Sequence, residues 1–278
     1  MFHQCRAGAF ALAAALSIGI TGARADDNPK YPKLNGQWSR ASPGAQWDPT
    51  KPGGLRQQAP LTAEYQAIFE ANLTALASGN EAYNPHSRCI PAGMPRMMLA
   101  YEPVDVIVTR ETTYIRDYFN EFRRIHTDGR AWPAEIAPSF NGYSIGQWAD
   151  EDVDGTFDAL VVETRGFKGP RVFDATGIPM HTNNKTVVKE RIFVDKTNRD
   201  VLHDEITTID DALTRPWTVT RSYNRERNPI WPEFICAEDN HHVMVGRETY
   251  FRGVDGILMP TRKDQPPPEL RNFDQPPK

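Results

Sequence analysis

Cysteine is scarce in this sequence, with three residues in a chain of 278. No two of them form a CxxC pair, and three thiols cannot build a four-cysteine metal site. The histidines show no HxH or HxxxH spacing, so the sequence does not predict zinc. The segment Ser144-Ile145-Gly146 does not supply the nucleophile elbow of a serine hydrolase. These absences exclude several common classes of redox, metal and hydrolytic site.

Long apolar runs are also lacking. No stretch after the N-terminus approaches the roughly 18 apolar residues that a membrane helix needs, so we expect no membrane insertion. The run from Ala7 to Ile20 is itself short, follows a basic region that ends at Arg6, and precedes Ala23-Arg24-Ala25. These three parts predict a signal peptide over residues 1–25 and therefore a periplasmic or secreted protein.

The sequence also lacks an excess of positive charge. The formal net charge is −4, and it becomes −6 when Arg6 and Arg24 leave with the leader. This balance argues against general affinity for nucleic acid or anionic lipid. We therefore expect the partners to be small molecules or proteins, and the sequence does not indicate an oligomeric state.

Removal of the leader leaves Cys89 and Cys236 as the two thiols of the mature chain. Two thiols in an oxidising compartment are expected to pair. A bridge that closes so long a loop contributes on the order of 5 kcal/mol at most in the chain-entropy model. The sequence thus predicts one disulfide that ties the start of the β region to its end.

After the predicted leader, the chain divides into three parts by composition. Residues 26–60 are rich in Pro, Gly and Gln and predict an extended arm, with Gly36-Gln37-Trp38 as a short strand. No repeat or linker interrupts residues 61–262, which predict a single β-rich domain. Residues 263–278 carry repeated prolines and predict a poorly ordered tail.

One helix is predicted at the start of the β-rich domain. Thr62 can cap its first turn, and Gly79 can end it in a left-handed conformation. The side chains between them that fall near one face are Tyr65, Ile68, Phe69, Asn72, Leu73 and Leu76. Because one face is apolar, the helix is expected to pack against a sheet.

From residue 97 onward the apolar pattern has a period of two, which predicts strands. Residues 143–167 form a central hairpin with an acidic loop, and the proline-containing loop 168–184 is a candidate lid or rim. The other predicted strands are 104–109, 112–119, 121–127, 187–195, 201–209 and 217–225.

About eight or nine sequential strands protect their edges most simply by closing on themselves. The predicted fold is therefore mostly β, an antiparallel meander curled into a lipocalin-like barrel or half-barrel with one packed helix near the N-terminus. A two-sheet sandwich is the alternative.

Several predicted strands place ionisable side chains on the same face as apolar ones. Glu190 shares a side with Val188 and Ile192, and Arg221 shares a side with Val219. His203 and Glu205 are predicted to share a side with apolar Val201 and Ile209. If this mixed face lines the barrel, the interior is a polar ligand cavity with a charge network. If it faces outward, the same groups form cross-strand ion pairs on a solvated surface.

The run Arg123-Arg124-Ile125-His126, with Asp128 and Arg130 after it, concentrates donors near one strand end. Guanidinium groups can grip a carboxylate or phosphate through paired hydrogen bonds. The other interpretation is structural, with Asp128 shaping the turn and the arginines paired with neighbouring glutamates. His181, in the 168–184 loop, is a further candidate for ligand binding.

The acidic loop matches the first nine positions of a calcium loop, DxDxDGxxD. Its aspartates alternate along the chain, and Gly155 permits the bend between them. Val161 stands at the twelfth position, where a bidentate glutamate is expected. A solvated acidic hairpin is therefore the alternative to a calcium site formed by Asp150, Asp152, Asp154 and Asp158.

Several short segments in fixed order resemble a family of uncharacterised exported proteins of proteobacteria and acidobacteria. Here they read FRRIHTDGR, SIGQW, LVVET, ER and PW, and the family has segments of the type RRIYTDGR, GxSIGxW, TLVVET, ER and PW. The resemblance spans about residues 120–225. It implies an exported β-rich protein in a bacterial host and no particular activity.

Together these observations predict a periplasmic barrel-like protein that binds a small, partly apolar molecule, without a cofactor apart from the calcium considered above. The alternative is a cofactor-independent lyase, isomerase or hydrolase in which a histidine and a carboxylate shuttle a proton. The candidate catalytic residues are His203, Glu205 and Glu190, and the candidate ligand-binding residues are Arg123, Arg124, His126, His181 and Arg221.

Overall fold

Nine strands close into a barrel in sequence order, with the ninth strand paired to the first. The computed structural model describes residues 28–41, 59–77, 85, 89–99, 103–231, 233–236, 242–245, 248–252 and 256–268. The barrel strands are β1 Gly36–Arg40, β2 Val104–Val108, β3 Thr112–Asp117, β4 Phe122–His126, β5 Tyr143–Ala149, β6 Ala159–Arg165, β7 Val187–Val194, β8 Val201–Ile209 and β9 Trp217–Arg225. This confirms the predicted β-barrel fold class.

A smaller antiparallel sheet follows the barrel in sequence. Its strands are β10 His242–Val245, β11 Glu248–Arg252 and β12 Leu258–Pro260. The predicted disulfide between Cys89 and Cys236 is present, with the two Cα atoms 5.7 Å apart. The predicted leader and residues 269–278 of the predicted tail lie outside the described residues.

The first strand closes the barrel although it comes from the proline-rich arm. Trp38 of β1 pairs with Val104 of β2 on one side and with Arg225 of β9 on the other. The Trp38 side chain is fully buried, and its indole Nε1 donates to the Leu34 carbonyl at 2.7 Å. This strand covers the two edges that β2 and β9 would otherwise expose.

One strand pair departs from the antiparallel meander. β4 and β5 run in the same direction, with Ile125 opposite Ser144 and His126 opposite Ile145. A parallel pair requires a connection long enough to return the chain to the starting end of the barrel, and residues 127–142 supply it. Gly142 ends this connection with φ of +69°, where a Cβ atom would lie 2.8 Å from the Arg165 carbonyl oxygen.

One end of the barrel is closed by packed chain. The helix α1, Ala63–Ala77, buries Tyr65 and Phe69, and Thr62 Oγ1 accepts the Tyr65 amide at 3.4 Å. Ile68, predicted on the packed face, is 41% exposed. The predicted helix stop at Gly79 lies outside the described residues. A short 3₁₀ helix, Arg96–Leu99, is buried beside α1 in the same core.

The 168–184 loop, expected as a lid or rim, is part of this closed end. Its Phe173 and Ile178 side chains are fully buried in the core. Arg171 donates to the Met94 carbonyl at 3.0 Å and to Thr186 Oγ1 at 2.9 Å, and burial lowers its pKa to about 10. Apolar residues at these positions hold the loop against the barrel rather than over an opening.

No helix within the described ranges has both the length and the apolar character required to cross a bilayer.

Candidate functional site

The barrel interior contains a buried charge network built on Arg123 and Glu190. Arg123 of β4 is 1% exposed and Glu190 of β7 is 2% exposed. The guanidinium donates to both carboxylate oxygens of Glu190, one at 2.8 Å, and forms an ion pair with it. Both residues are among the candidates named from the sequence, and the structure places Glu190 on the inner face, one of the two orientations that the sequence left open.

Two hydroxyl groups complete the surroundings of Arg123. Its Nε donates to Ser144 Oγ at 3.2 Å, and its Nη2 donates to Thr164 Oγ1 at 2.9 Å. The two hydroxyl oxygens lie 2.8 Å apart and are hydrogen bonded to each other. Residues 142–146 read GYSIG and so have GxSxG spacing around Ser144. This segment is the start of β5, however, and not a strand-to-helix elbow. Ser144 therefore serves the buried network.

Asp204 was missed by the sequence analysis. It lies on the inner face of β8, fully buried, directly opposite Arg221 of β9. Neither of its carboxylate oxygens has a hydrogen bond within the described part of the chain. Burial raises its pKa well above 3.8, and the nearby charge of Glu190 raises it further. Both effects favour the protonated form of Asp204 over the ionised form.

The mixed face of β8, for which the sequence left both orientations open, lies on the outside of the barrel. The structure buries Leu202, Asp204, Ile206 and Thr208, so His203 and Glu205 point outward. His203 Nδ1 lies 2.9 Å from Ser222 Oγ, and its Nε2 lies 3.2 Å from Asp195 Oδ2. Glu205 forms a 3.5 Å ion pair with Arg191. The signal that separates the two faces is the buried Leu202 and Ile206, whereas Val201 and Ile209 sit at the strand ends.

The candidates near the end of β4 do not meet at one point. Arg124 is exposed on the outer face, whereas Arg123 faces inward. The His126 ring packs on the Tyr143 ring at 4.9 Å, and burial together with the positive charge of Arg130 lowers the His126 pKa. Hydrogen bonds from Arg130 lower the Asp128 pKa to about 2. This arrangement matches the structural interpretation of the segment.

His181 lies in the loop at the closed end of the barrel and does not join the candidates of β4. Its ring packs on Tyr65 at 5.2 Å, and its Nδ1 accepts the Asn183 amide at 3.1 Å.

Arg221 is buried inside the barrel and donates to the Leu99 carbonyl at 3.4 Å. The structure therefore brings together Arg123 and Glu190, with Asp204 and Arg221 beside them, and separates the other candidates.

The acidic loop brings three of its four predicted metal ligands together. Oxygens of Asp150, Asp152 and Asp158 lie within 4.8 Å of one another. Asp154 instead accepts from the Thr156 amide and hydroxyl at 2.8 and 2.6 Å. Lys196 Nζ lies 2.8 Å from Asp152 and 3.0 Å from Asp158. The oxygen donors suit a hard cation, but the ammonium group already supplies positive charge to two of them.

A cleft of about 840 Å³ lies at the other end of the barrel, beside the loops 150–158 and 195–200. One wall is the N-terminal segment before β1, and the Phe157 amide joins it to the acidic loop by donating to the Lys30 carbonyl at 2.7 Å. The Tyr31 ring contacts Phe157 and Trp148, in both cases with centroids 5.1 Å apart. The lining side chains with charge or an aromatic ring are Tyr31, Lys33, Asp152, Asp154, Phe157, Asp158, Arg191, Phe193, Lys196, Arg199, Asp200, Arg225 and Arg227. This is a concave site with apolar surface and convergent polar groups.

Of the residues that line this cleft, only Asp152, Asp154 and Asp158 were candidates from the sequence, as metal ligands. Lys33 and Arg225 are 192 residues apart, and the Arg225 guanidinium donates to the Lys33 carbonyl at 2.6 Å. No local pattern relates two such positions, so only the closed barrel reveals that they share a site.

Comparison of the chain with family models, with curated proteins and with solved structures finds no match in any of the three.

Proposed function

We propose that this β-barrel is an exported protein that binds a small, partly apolar molecule in the cleft between its N-terminal segment and the loops 150–158 and 195–200. The observation that carries the proposal is the cleft itself. Its volume of about 840 Å³ is within the range of small-molecule sites, roughly 300–1,000 Å³. Phe157 and Tyr31 give it apolar surface, and the charged side chains around them can orient a polar group.

The geometry favours this cleft over the barrel interior. The interior is filled by core side chains of the strands and of the 3₁₀ helix, including Trp38, Met97 and Met98. The polar groups of Arg123 are already bonded to Glu190, Ser144 and Thr164. A ligand inside would have to break these bonds, whereas a ligand in the cleft need not.

Fluorescence titration with the neutral apolar probe N-phenyl-1-naphthylamine tests binding. We expect saturable binding to the wild-type protein and a loss of roughly fivefold or more in affinity for Phe157→Ala, because that ring supplies apolar surface. Phe122→Ala is the matched control, since Phe122 is 52% exposed on the outer face of β4. Equal binding by both variants, with melting curves showing that both fold, would overturn the proposed site.

Export is supported by the N-terminal pattern of the sequence, by the disulfide between Cys89 and Cys236, and by the resemblance to exported proteins. Cell fractionation followed by N-terminal sequencing tests it. We expect the protein in the periplasm or medium with Asp26 as its first residue. A cytoplasmic protein that retains residues 1–25 would contradict export without affecting the cleft.

A second candidate function, a hydrolase, is favoured by one observation. His203 is hydrogen bonded through one ring nitrogen to Ser222 and through the other to Asp195, an order of groups that can activate a serine. The Phe193 ring packs on His203 with centroids 5.1 Å apart and also lines the cleft. The alternative for these three residues is a cross-strand hydrogen-bond chain that only stabilises the barrel.

A fluorophosphonate probe distinguishes these two roles. A hydrolase is expected to be labelled in the wild type and in Ser39→Ala but not in Ser222→Ala, because a fluorophosphonate reacts with an activated serine. Ser39 is the matched control because it lies in neighbouring β1 and binds Glu226 instead of a histidine. An unlabelled wild-type protein would leave Ser222 with a structural role.

A further inference from the structure

We propose that the ligand of this cleft is an organic anion with a flat apolar body, and that Lys33 and Arg199 pair with its anionic group. This inference rests on the proposed function and adds the chemical class of the ligand. It is carried by the distribution of charge among the residues that line the cleft.

The cleft is positive although the whole chain is negative. Six cationic side chains and four aspartates line it, whereas the formal net charge of the chain is −4. A local excess of one sign in a concave site raises the local concentration of oppositely charged ligands. The cleft therefore favours anionic ligands, although the protein as a whole is negatively charged.

The four aspartates of the cleft are already engaged. Asp152 and Asp158 hold Lys196 at 2.8 and 3.0 Å. Asp154 accepts two hydrogen bonds from Thr156. Asp200 forms ion pairs with two arginines, Arg225 at 3.5 Å and Arg227. Three of the four are therefore paired with cations. Asp154 has no ion pair within the described residues, so it sets one negative charge against the two positive charges of Lys33 and Arg199.

Four of the six cationic groups are engaged as well. Lys196, Arg225 and Arg227 pair with these aspartates, and Arg191 binds Glu151 with two hydrogen bonds of 2.6 and 2.5 Å. Lys33 and Arg199, both exposed, have no ion pair within the described ranges of the chain. They are the cations of the cleft that can bind an anion without breaking an existing pair.

The backbone positions of both residues are fixed. The Lys33 carbonyl accepts from Arg225 at 2.6 Å, which anchors the N-terminal segment to β9. Arg199 lies in the turn between β7 and β8, where Asp195 Oδ1 accepts the amides of Thr197 and Asn198 at 2.8 and 2.7 Å. Only the two side chains must be ordered when an anion binds, which limits the entropic cost.

The flat apolar body is inferred from the rings that line the cleft. Phe157 packs against Tyr31, with Lys30 Nζ 4.8 Å from its centroid. Phe193 lies under Arg191, whose guanidinium carbon is 3.9 Å from the ring centroid. A ring or fused-ring body can contact these aromatic groups while its anionic group reaches the cations at the margin.

Two fluorescent probes with the same phenylaminonaphthalene body test the inference. N-phenyl-1-naphthylamine is neutral, and 1-anilinonaphthalene-8-sulfonate carries one sulfonate. We expect the wild-type protein to bind the sulfonate roughly tenfold more tightly than the neutral probe. We expect the double variant Lys33→Gln/Arg199→Gln to lose that advantage while its affinity for the neutral probe changes less than about twofold.

The double variant Lys185→Gln/Arg215→Gln is the control, because it removes the same charge at the closed end of the barrel. It should bind both probes like the wild type. Equal wild-type affinities, a sulfonate affinity unaffected by the Lys33/Arg199 change, or an equal loss in the control would each overturn the inference. In those cases neutral-probe binding that depends on Phe157 would still support the proposed function, whereas failure of both probes to bind would remove both.

Discussion

At the scale of single residues, Asp204 has the most unusual environment among the groups of the buried network. Its carboxyl group is fully buried and its oxygens have no hydrogen bonds within the described chain. Because burial disfavours the ionised form, its folded-state pKa lies well above the unfolded-state value, near 3.9. Its favourable contribution to stability is therefore complete below about pH 4 and is lost as the pH rises through the folded-state pKa.

Asp204→Asn is expected to raise the free energy of unfolding at mildly alkaline pH and to change it little near pH 4. The amide cannot ionise, so the variant avoids a buried negative charge. Urea unfolding at several pH values measures the effect, with Glu205→Gln on the outer face of β8 as the control. Destabilisation by Asp204→Asn at every pH would show that Asp204 is ionised and paired with Arg221.

At the scale of elements, the Arg123–Glu190 pair links β4 to β7 across the inner wall. The two intervening strands contribute Ser144 and Thr164, so four consecutive strands share one network. Removal of one partner leaves an unpaired charge in the barrel, which costs more than the pair itself contributes. The network thus favours this arrangement of strands over others.

Arg123→Met and Glu190→Leu are each expected to lower the free energy of unfolding by about 3–5 kcal/mol. The double variant should be destabilised by clearly less than the sum, because it leaves no unpaired charge. Chemical denaturation measures all three. Arg165→Met, which breaks the exposed pair with Glu163, should change stability by less than about 1 kcal/mol. Additive single effects would contradict the role of the pair.

We expect that calcium does not bind the acidic loop and therefore leaves the melting temperature of the protein unchanged. Lys196 pairs with Asp152 and Asp158, and its hydrogen bond lowers the Asp158 pKa. The ammonium group thus already occupies the position where it compensates the negative charge of the loop. Thermal melts with calcium and with a chelator test this, and magnesium serves as the control cation. A rise in melting temperature that is specific to calcium would show that the metal displaces the ammonium group.

At the scale of the whole molecule, the N-terminal segment completes both the barrel and the cleft. Residues 36–40 form the closing strand, and residues 28–35 border the cleft. The disulfide acts at the same scale, because its two cysteines are 147 residues apart in sequence. It restricts the unfolded chain more than a short-range bridge would.

Replacement of both cysteines, Cys89→Ser/Cys236→Ser, is expected to lower the free energy of unfolding by about 2–5 kcal/mol. For a chain of this size, each kcal/mol corresponds to a fall in melting temperature of roughly 2–4 °C. Differential scanning calorimetry measures the effect. A reducing agent should lower the wild-type melting temperature to that of the variant and leave the variant unchanged. Equal wild-type values with and without reducing agent would contradict a stabilising role.

The strands were predictable from sequence because the period-two pattern is local. The six strands predicted around the central hairpin match the observed elements to within two residues at each end, and 201–209 and 217–225 match without any difference. The inward face of β8 was not predictable in the same way, because Asp204 and Thr208 face inward among apolar residues while Val201 and Ile209 lie at the strand ends. The parallel pairing of β4 and β5 was also not predicted. The length of the connection, residues 127–142, does not show at which end of the barrel β5 begins.

The sequence by itself determined the β-rich character, the positions of the strands, the single packed helix and the pairing of Cys89 with Cys236. Each of these depends on neighbouring side chains or on the number of residues of one kind. Only the tertiary structure decided which face of β8 is buried, that β1 closes the barrel, and that Lys33, Arg199 and Phe157 border one cleft. The physical reason is that burial and closure result from contacts between residues far apart in the chain, and no local pattern records them.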